Sequence, residues 1–103
     1  MPSRAINQDS ITWQKVLQLV KEDIAASKGG GYEWKDIYVD QTLSGRHPNG
    51  LGYRRFEGLT VRLNKTFLTF DVTLTVSEVR GAGTVGALYN LIWSKIPSTL
   101  REK

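Results

Sequence analysis

Residues 66–78 read TFLTFDVTLTVSE, and apolar residues alternate with polar ones through most of this stretch. The apolar members of one parity are Leu68, Phe70, Val72, Leu74 and Val76. Regular alternation of β-branched and aromatic residues is typical of a strand that buries one face. We therefore predict a strand here, with its apolar row forming one side of the hydrophobic core.

Two amphipathic helices are predicted, one near each end of the chain. Apolar residues follow one another at spacings of three and four over 13–24 and again over 85–96, which places them on one face of a helix. Asp9 or Ser10 could cap the first helix and Thr84 the second, because their side-chain oxygens can accept hydrogen bonds from free amides of the first turn. These helices would cover the apolar row of the strand.

Two further strands are predicted between the helices, over 32–43 and 53–64, and a glycine-rich loop over 44–52 joins them. In the first, the apolar parity shifts midway, which indicates either a bulge or a strand covered on both faces. In the second, three apolar residues of one parity would point to the core: Leu59, Val61 and Leu63. Asn64 and Lys65 would form the hairpin turn into the next strand.

The resulting element order is α-β-β-β-α. It predicts the α+β class, a two-layer sandwich in which a three-stranded antiparallel meander carries both helices on one sheet face. The domain would span 10–103, after a flexible, polar N-terminal segment over 1–9. A chain of 103 residues suits one such domain.

The composition and the N-terminal sequence indicate the cellular compartment of the protein. The chain has no cysteine, which excludes disulfides and favours a reducing compartment. Its first residues lack the apolar region of a secretory signal, and no apolar run approaches the roughly 20 residues of a membrane span. We expect a cytoplasmic protein with no membrane contact.

The charge of the chain is concentrated in one segment. Residues 46–65 contain five basic side chains and one acidic side chain. This excess equals the net charge of +4 of the whole chain. Arginines beside an aromatic ring suit phosphate pairing and base stacking, so the segment is a candidate site for nucleic acid or another polyanion. The alternative is an ordinary solvated loop. The predicted contact residues are Arg46, His47, Tyr53, Arg54, Arg55, Arg62 and Lys65.

The predicted element order resembles that of the double-stranded-RNA-binding domain. That family has a loop containing Gly, Pro and His between its first two strands, to which 45–48 (GRHP) is similar, and a Gly-x-Gly turn before its last helix, to which 81–83 (GAG) is similar. The chain departs from the family where phosphate-binding lysines would begin that helix, since it has 85–88 (VGAL) there. The resemblance implies RNA rather than DNA as the nucleic acid.

A second candidate surface is the sheet face that the helices would leave open. Threonine is common on such solvated faces, so an ordinary wet face is the alternative to a docking surface. Exposed phenylalanines there would favour self-association, giving a homodimer or an adaptor protein. The predicted interface residues are Phe56, Phe67, Thr69, Asp71, Thr73 and Thr75.

No residue pattern indicates catalysis, a metal or a cofactor. Asp36 and Asp40 would lie roughly 13 Å apart on a strand, too far to share one ion. His47 has no nucleophile at a telling spacing. We therefore predict a small non-enzymatic binding module that contacts an anionic partner, most readily RNA, through 46–65. The alternative is a self-associating structural protein acting through the open threonine-rich face.

Overall fold

The computed structural model of the chain describes residues 10–29, 31–45, 50–53 and 56–102. Within these ranges there are four α-helices: α1 (Trp13–Lys28), α2 (Phe56–Thr66), α3 (Val76–Ala82) and α4 (Val85–Lys95). Two strands of two residues each, β1 (Ile11–Thr12) and β2 (Arg101–Glu102), pair in parallel, with Ile11 opposite Arg101. The segment 1–9, predicted to be flexible, lies outside the described residues.

The predicted α+β sandwich is wrong, because the described residues contain no three-stranded sheet. The stretch 66–78 is divided among four local structures. Thr66 ends α2, Leu68–Phe70 form a single 3-10 turn, and Asp71 takes the left-handed conformation with φ of 63°. Thr75 then caps α3. A left-handed residue and a helix cap interrupt any strand, so the alternating pattern never forms a continuous apolar row.

The predicted strand over 53–64 is also wrong, because most of it belongs to α2. Leu59 and Leu63 are buried as predicted, but Val61 is 66% exposed. Leu59 and Leu63 lie four residues apart, a spacing that suits both a strand face and a helix face. The exposure of Val61, midway between them, follows from helical geometry. Asn64 and Lys65 are therefore helical residues and not a hairpin turn.

The strand predicted over 32–43 is also wrong, because this segment is irregular around a single 3-10 turn, Trp34–Asp36. Ile37 and Leu43 anchor it in the core. Its backbone bonds to the start of α4: the Leu43 amide donates to Gly83 O at 2.8 Å, and the Gly86 amide donates to Val39 O at 2.9 Å. With all three strands absent, the element order no longer resembles that of the double-stranded-RNA-binding domain.

The two predicted helices are confirmed as α1 and α4. Thr12, and not Ser10, caps α1, since its Oγ1 accepts from the Lys15 amide at 3.2 Å. Thr84 caps α4 as predicted, with its Oγ1 accepting from the Ala87 amide at 3.1 Å. Each cap satisfies an amide that the first turn would otherwise leave free.

The helices enclose one hydrophobic core. Helix α1 packs against α2 and α4, and the short α3 packs against the same two helices. Asn64 ties α2 to the segment that precedes α3: its Nδ2 donates to Leu74 O at 3.0 Å, and its Oδ1 accepts from the Leu74 amide at 2.8 Å. The largest fully buried side chains are Phe67, Ile24, Ile37, Leu43, Leu59, Leu63, Leu88, Ile92, Ile96, Val16, Val20 and Val72.

Candidate interaction surface on the second helix

The outward side of α2 carries two cations between two exposed apolar side chains. Val61 is 66% exposed and Leu68, in the turn after the helix, is 72% exposed. Lys65 is also exposed, about one helical turn after Val61 and three residues before Leu68 in the chain. Arg62 is exposed on the side of the helix nearest α1. We call Val61, Arg62, Lys65 and Leu68 the α2 surface.

The opposite side of α2 holds this surface in place. Phe56, Leu59 and Leu63 are buried at helical spacing, and Phe67 continues the buried face past the end of the helix. The Phe56 ring lies 5.7 Å from the ring of Tyr53, centroid to centroid. Because the inward face is fully packed, the outward residues project from a helix that is fixed against the core.

Of the predicted contact residues, the structure describes three, and it places them in two different environments. Arg62 and Lys65 are exposed on the α2 surface. The predictions for Arg46, His47, Arg54 and Arg55 fall outside the described residues. Tyr53 is buried, and its hydroxyl donates to Ile24 O at 2.6 Å. Its ring is therefore part of the core and is not presented for base stacking.

Burial also affects the chemistry of Tyr53. Loss of solvent raises the pKa of its phenol, while nearby Ser27 and Arg62 act in the opposite direction. The phenol therefore stays protonated as a hydrogen-bond donor at physiological pH. This tyrosine fastens the segment before α2 to the end of α1, which is a structural role.

The predicted interface residues do not lie on a common sheet face. Phe56 and Phe67 are buried in the core. The polar ones are exposed but belong to different local structures: Thr69 to a 3-10 turn, Asp71 to a left-handed turn, Thr73 to an irregular segment and Thr75 to the α3 cap. The open sheet face that was to carry self-association is therefore absent from the described part of the chain.

Asp23 lies buried behind the α2 surface. Only 8% of the residue is exposed, and its Oδ2 has no hydrogen-bond partner among the described residues. Burial raises the pKa of its carboxyl, whereas Thr66 and then Arg62 act to lower it. Asp23 was missed by the reading of the sequence, although it follows Val16 by seven residues and Val20 by three, which places it on the buried face of α1.

A shallow open groove of about 330 Å³ runs between α3 and α4. Its walls are mostly small side chains, and the ion pair of Glu78 and Lys95, 3.1 Å between Oε2 and Nζ, lies beside it. The lining residues are Ser77, Glu78, Gly81, Ala82, Ala87 and Leu91. No histidine or arginine and no second carboxylate is among them, so the groove offers no acid–base pair.

Of the two carboxylates considered for metal binding, Asp36 serves the local fold. The Glu33 amide donates to Asp36 Oδ2 at 3.0 Å, which closes the turn over Trp34–Asp36. Asp40 is exposed. Across the described ranges, no three His, Cys, Asp or Glu side chains gather as a metal site would require. None of the helices described there is long and apolar enough to cross a bilayer.

Comparison with known proteins assigns no relative to this chain: no protein-family model, no curated protein and no solved structure matches it. Function therefore has to be inferred from the surfaces of the chain itself. Among those described, the α2 surface combines rigidity, exposed charge and exposed apolar area.

Proposed function

We propose that this protein is a small non-enzymatic binding module that holds an anionic partner on the α2 surface. The observation that carries the proposal is the exposure of Arg62 and Lys65 on one packed helix. They belong to 46–65, the segment that contains the whole excess of positive charge. Arg54 and Arg55 immediately precede α2 in the chain, which adds to the positive charge of this part of the sequence.

The strength of such contacts has to come from several charges together. One exposed ion pair contributes only about 0.2–1 kcal/mol. Salt also screens exposed charges, with a Debye length of about 10 Å at 0.1 M ionic strength. We therefore expect modest binding that weakens as salt is added. The expectation of base stacking loses its support, because the Tyr53 ring is buried.

The test uses fluorescein-labelled polyglutamate as the anionic probe and follows its anisotropy at low and high salt. The variant Arg62→Gln/Lys65→Gln removes both cations of the α2 surface. Lys15→Gln/Lys35→Gln is the matched control, because both lysines are exposed on other elements and the net charge falls equally. Two lost contacts of the size given above should weaken binding about 2- to 30-fold. The control should bind like the unmodified protein.

Two results would refute the proposal. Absence of polyglutamate binding at low salt would refute the hypothesis that the protein binds an anionic partner. Equal weakening in both double variants would show that only net charge matters and that the α2 surface has no special role. A single Lys65→Gln variant separates binding from folding, because Lys65 is exposed and lies away from buried Asp23, which Arg62 influences.

A further inference from the structure

The two apolar members of the α2 surface, Val61 and Leu68, indicate a partner that has apolar groups of its own. Single exposed leucines are common on protein surfaces, but Val61, on the outward side of α2, and Leu68, two residues past its end, are both exposed, and Lys65 lies between them in the chain. A phosphate backbone offers nothing that would bury these side chains, whereas a protein segment can bury them while pairing the cations.

We propose that the α2 surface binds an acidic amphipathic helix of a partner protein, with carboxylates on Arg62 and Lys65 and apolar side chains on Val61 and Leu68. This inference rests on the proposed function and names its partner class. Charge complementarity selects an acidic segment. The exposed apolar side chains that precede and follow Lys65 in the chain select one that also carries apolar residues on one face, as in the binding of amphipathic helices.

Gly58 adds to the fit of the surface. It lies three residues before Val61 on the exposed side of α2, and nothing stands within 4 Å of the position that a Cβ would occupy there. Glycine inside a helix costs about 1 kcal/mol relative to alanine, so its presence is unfavourable for α2 alone. Without a side chain at this position, a partner helix can approach the backbone of α2 closely.

The test compares three labelled probes at one low salt concentration. The first is a synthetic peptide of Leu and Glu in an amphipathic helical pattern, and the second has Ser in place of every Leu. The third is a single-stranded RNA oligonucleotide with the same number of negative charges. We expect the Leu/Glu peptide to bind about tenfold more tightly than the Ser/Glu peptide, because it buries apolar surface on Val61 and Leu68.

The variant Val61→Ala/Leu68→Ala should abolish this tenfold preference for the Leu/Glu peptide over the Ser/Glu peptide. Both side chains are exposed and alanine favours the helix at position 61, so folding is retained. The control Tyr38→Ala/Val39→Ala trims two exposed apolar residues of the segment between α1 and α2 and should keep the preference.

The possible failures are distinguishable. Equal binding of the two peptides, with loss in Arg62→Gln/Lys65→Gln, would overturn the amphipathic partner and leave the proposed function standing. Tightest binding by RNA, unaffected by Val61→Ala/Leu68→Ala, would overturn it in favour of a nucleic acid. Failure of all three probes to bind would overturn both proposals. A tenfold preference that persists in Val61→Ala/Leu68→Ala would place the apolar contact elsewhere and also overturn the inference.

Discussion

Replacing Asn64 by alanine should destabilise the fold more than replacing most other polar residues of the helices. Its amide group makes two hydrogen bonds with the backbone of Leu74, at 2.8 and 3.0 Å, and Leu74 is buried. Two neutral hydrogen bonds contribute about 1–3 kcal/mol together, and buried groups left without a partner add to the loss. Alanine returns about 0.5 kcal/mol through helix propensity. We expect the free energy of unfolding to fall by about 2–3 kcal/mol.

Urea denaturation followed by far-ultraviolet circular dichroism would measure this change, and the melting temperature should fall by about 10–20 °C. Asn90→Ala is the matched control, because Asn90 is an exposed asparagine inside α4. Asn64→Asp keeps the acceptor for the Leu74 amide but loses the donor to Leu74 O, so near neutral pH it should also destabilise. If Asn64→Ala unfolds at the same urea concentration as Asn90→Ala, the two hydrogen bonds do not hold the segment before α3 in place.

Three further predictions concern single side chains. Because burial raises the pKa of Asp23 above its ordinary 3.8, the folded state keeps a proton that the unfolded state releases as pH rises. The contribution of Asp23 to the free energy of unfolding therefore decreases as pH rises from 3.8 to the higher pKa of the folded state. Asp23→Asn should remove that fall in pH-dependent urea titrations and be the more stable protein at neutral pH; an unchanged pH profile would contradict the assignment. Tyr53→Phe loses the 2.6 Å bond to Ile24 O and should lower the free energy of unfolding by about 1–2 kcal/mol, whereas an unchanged urea midpoint would show that the bond contributes nothing. The pKa of Glu78 lies below its ordinary 4.5, chiefly because the Thr75 amide donates to its carboxylate, so its stabilisation is present above pH 4.5 and is lost as pH falls through the folded pKa. Glu78→Gln should flatten this acid-side loss in thermal melts, and an equally steep loss in the variant would assign it to other groups.

The helices α1 and α4 could be predicted because their apolar residues fit only one period. In α4, Val85, Leu88 and Ile92 recur at three and four, a mixture of odd and even steps that no strand face accommodates. Thr84 stood directly before them as a cap. The apolar spacing and the cap both predicted a helix that begins after Thr84, and the structure has that helix.

Helix α2 was missed because its central apolar residues fit two periods. Leu59 and Leu63 satisfy a strand and a helix equally, and Val61 was assigned to the core for the sake of alternation. The wider pattern from Phe56 to Phe67 has steps of three and four and indicates a helix. That wider pattern was available in the sequence, and the helix it indicates buries Leu59 and Leu63 while leaving Val61 exposed.

The stretch 66–78 contained a second signal that the alternation concealed. Thr75 and Glu78 form a capping box, the spacing of hydroxyl and carboxylate that begins many helices. Here the Glu78 amide donates to Thr75 Oγ1 at 3.1 Å, and the Thr75 amide donates to Glu78 Oε1 at 3.0 Å. A strand cannot continue through such a box. The left-handed turn at Asp71 was harder to foresee, since aspartate adopts that conformation only in some contexts.

For the candidate site, composition indicated the charged segment but not its shape. Arg62 and Lys65 were predicted as contacts. Their position near Val61 and Leu68 follows only from helix α2, which had been predicted as a strand. Tyr53 was predicted to contact the partner because it lies among the arginines of this segment, and its hydrogen bond to Ile24 O could not be predicted from the local pattern. Long-range burial decides which member of a basic segment is available for contact.

The pairing of β1 with β2 has a practical consequence. Because Ile11 lies opposite Arg101, the two ends of the described chain meet at one place on the bundle. A label or a surface tether attached beside β1 or beside β2 would therefore hold the helical bundle at the same place, and a ligand whose binding differs between the two attachments is responding to the tether itself.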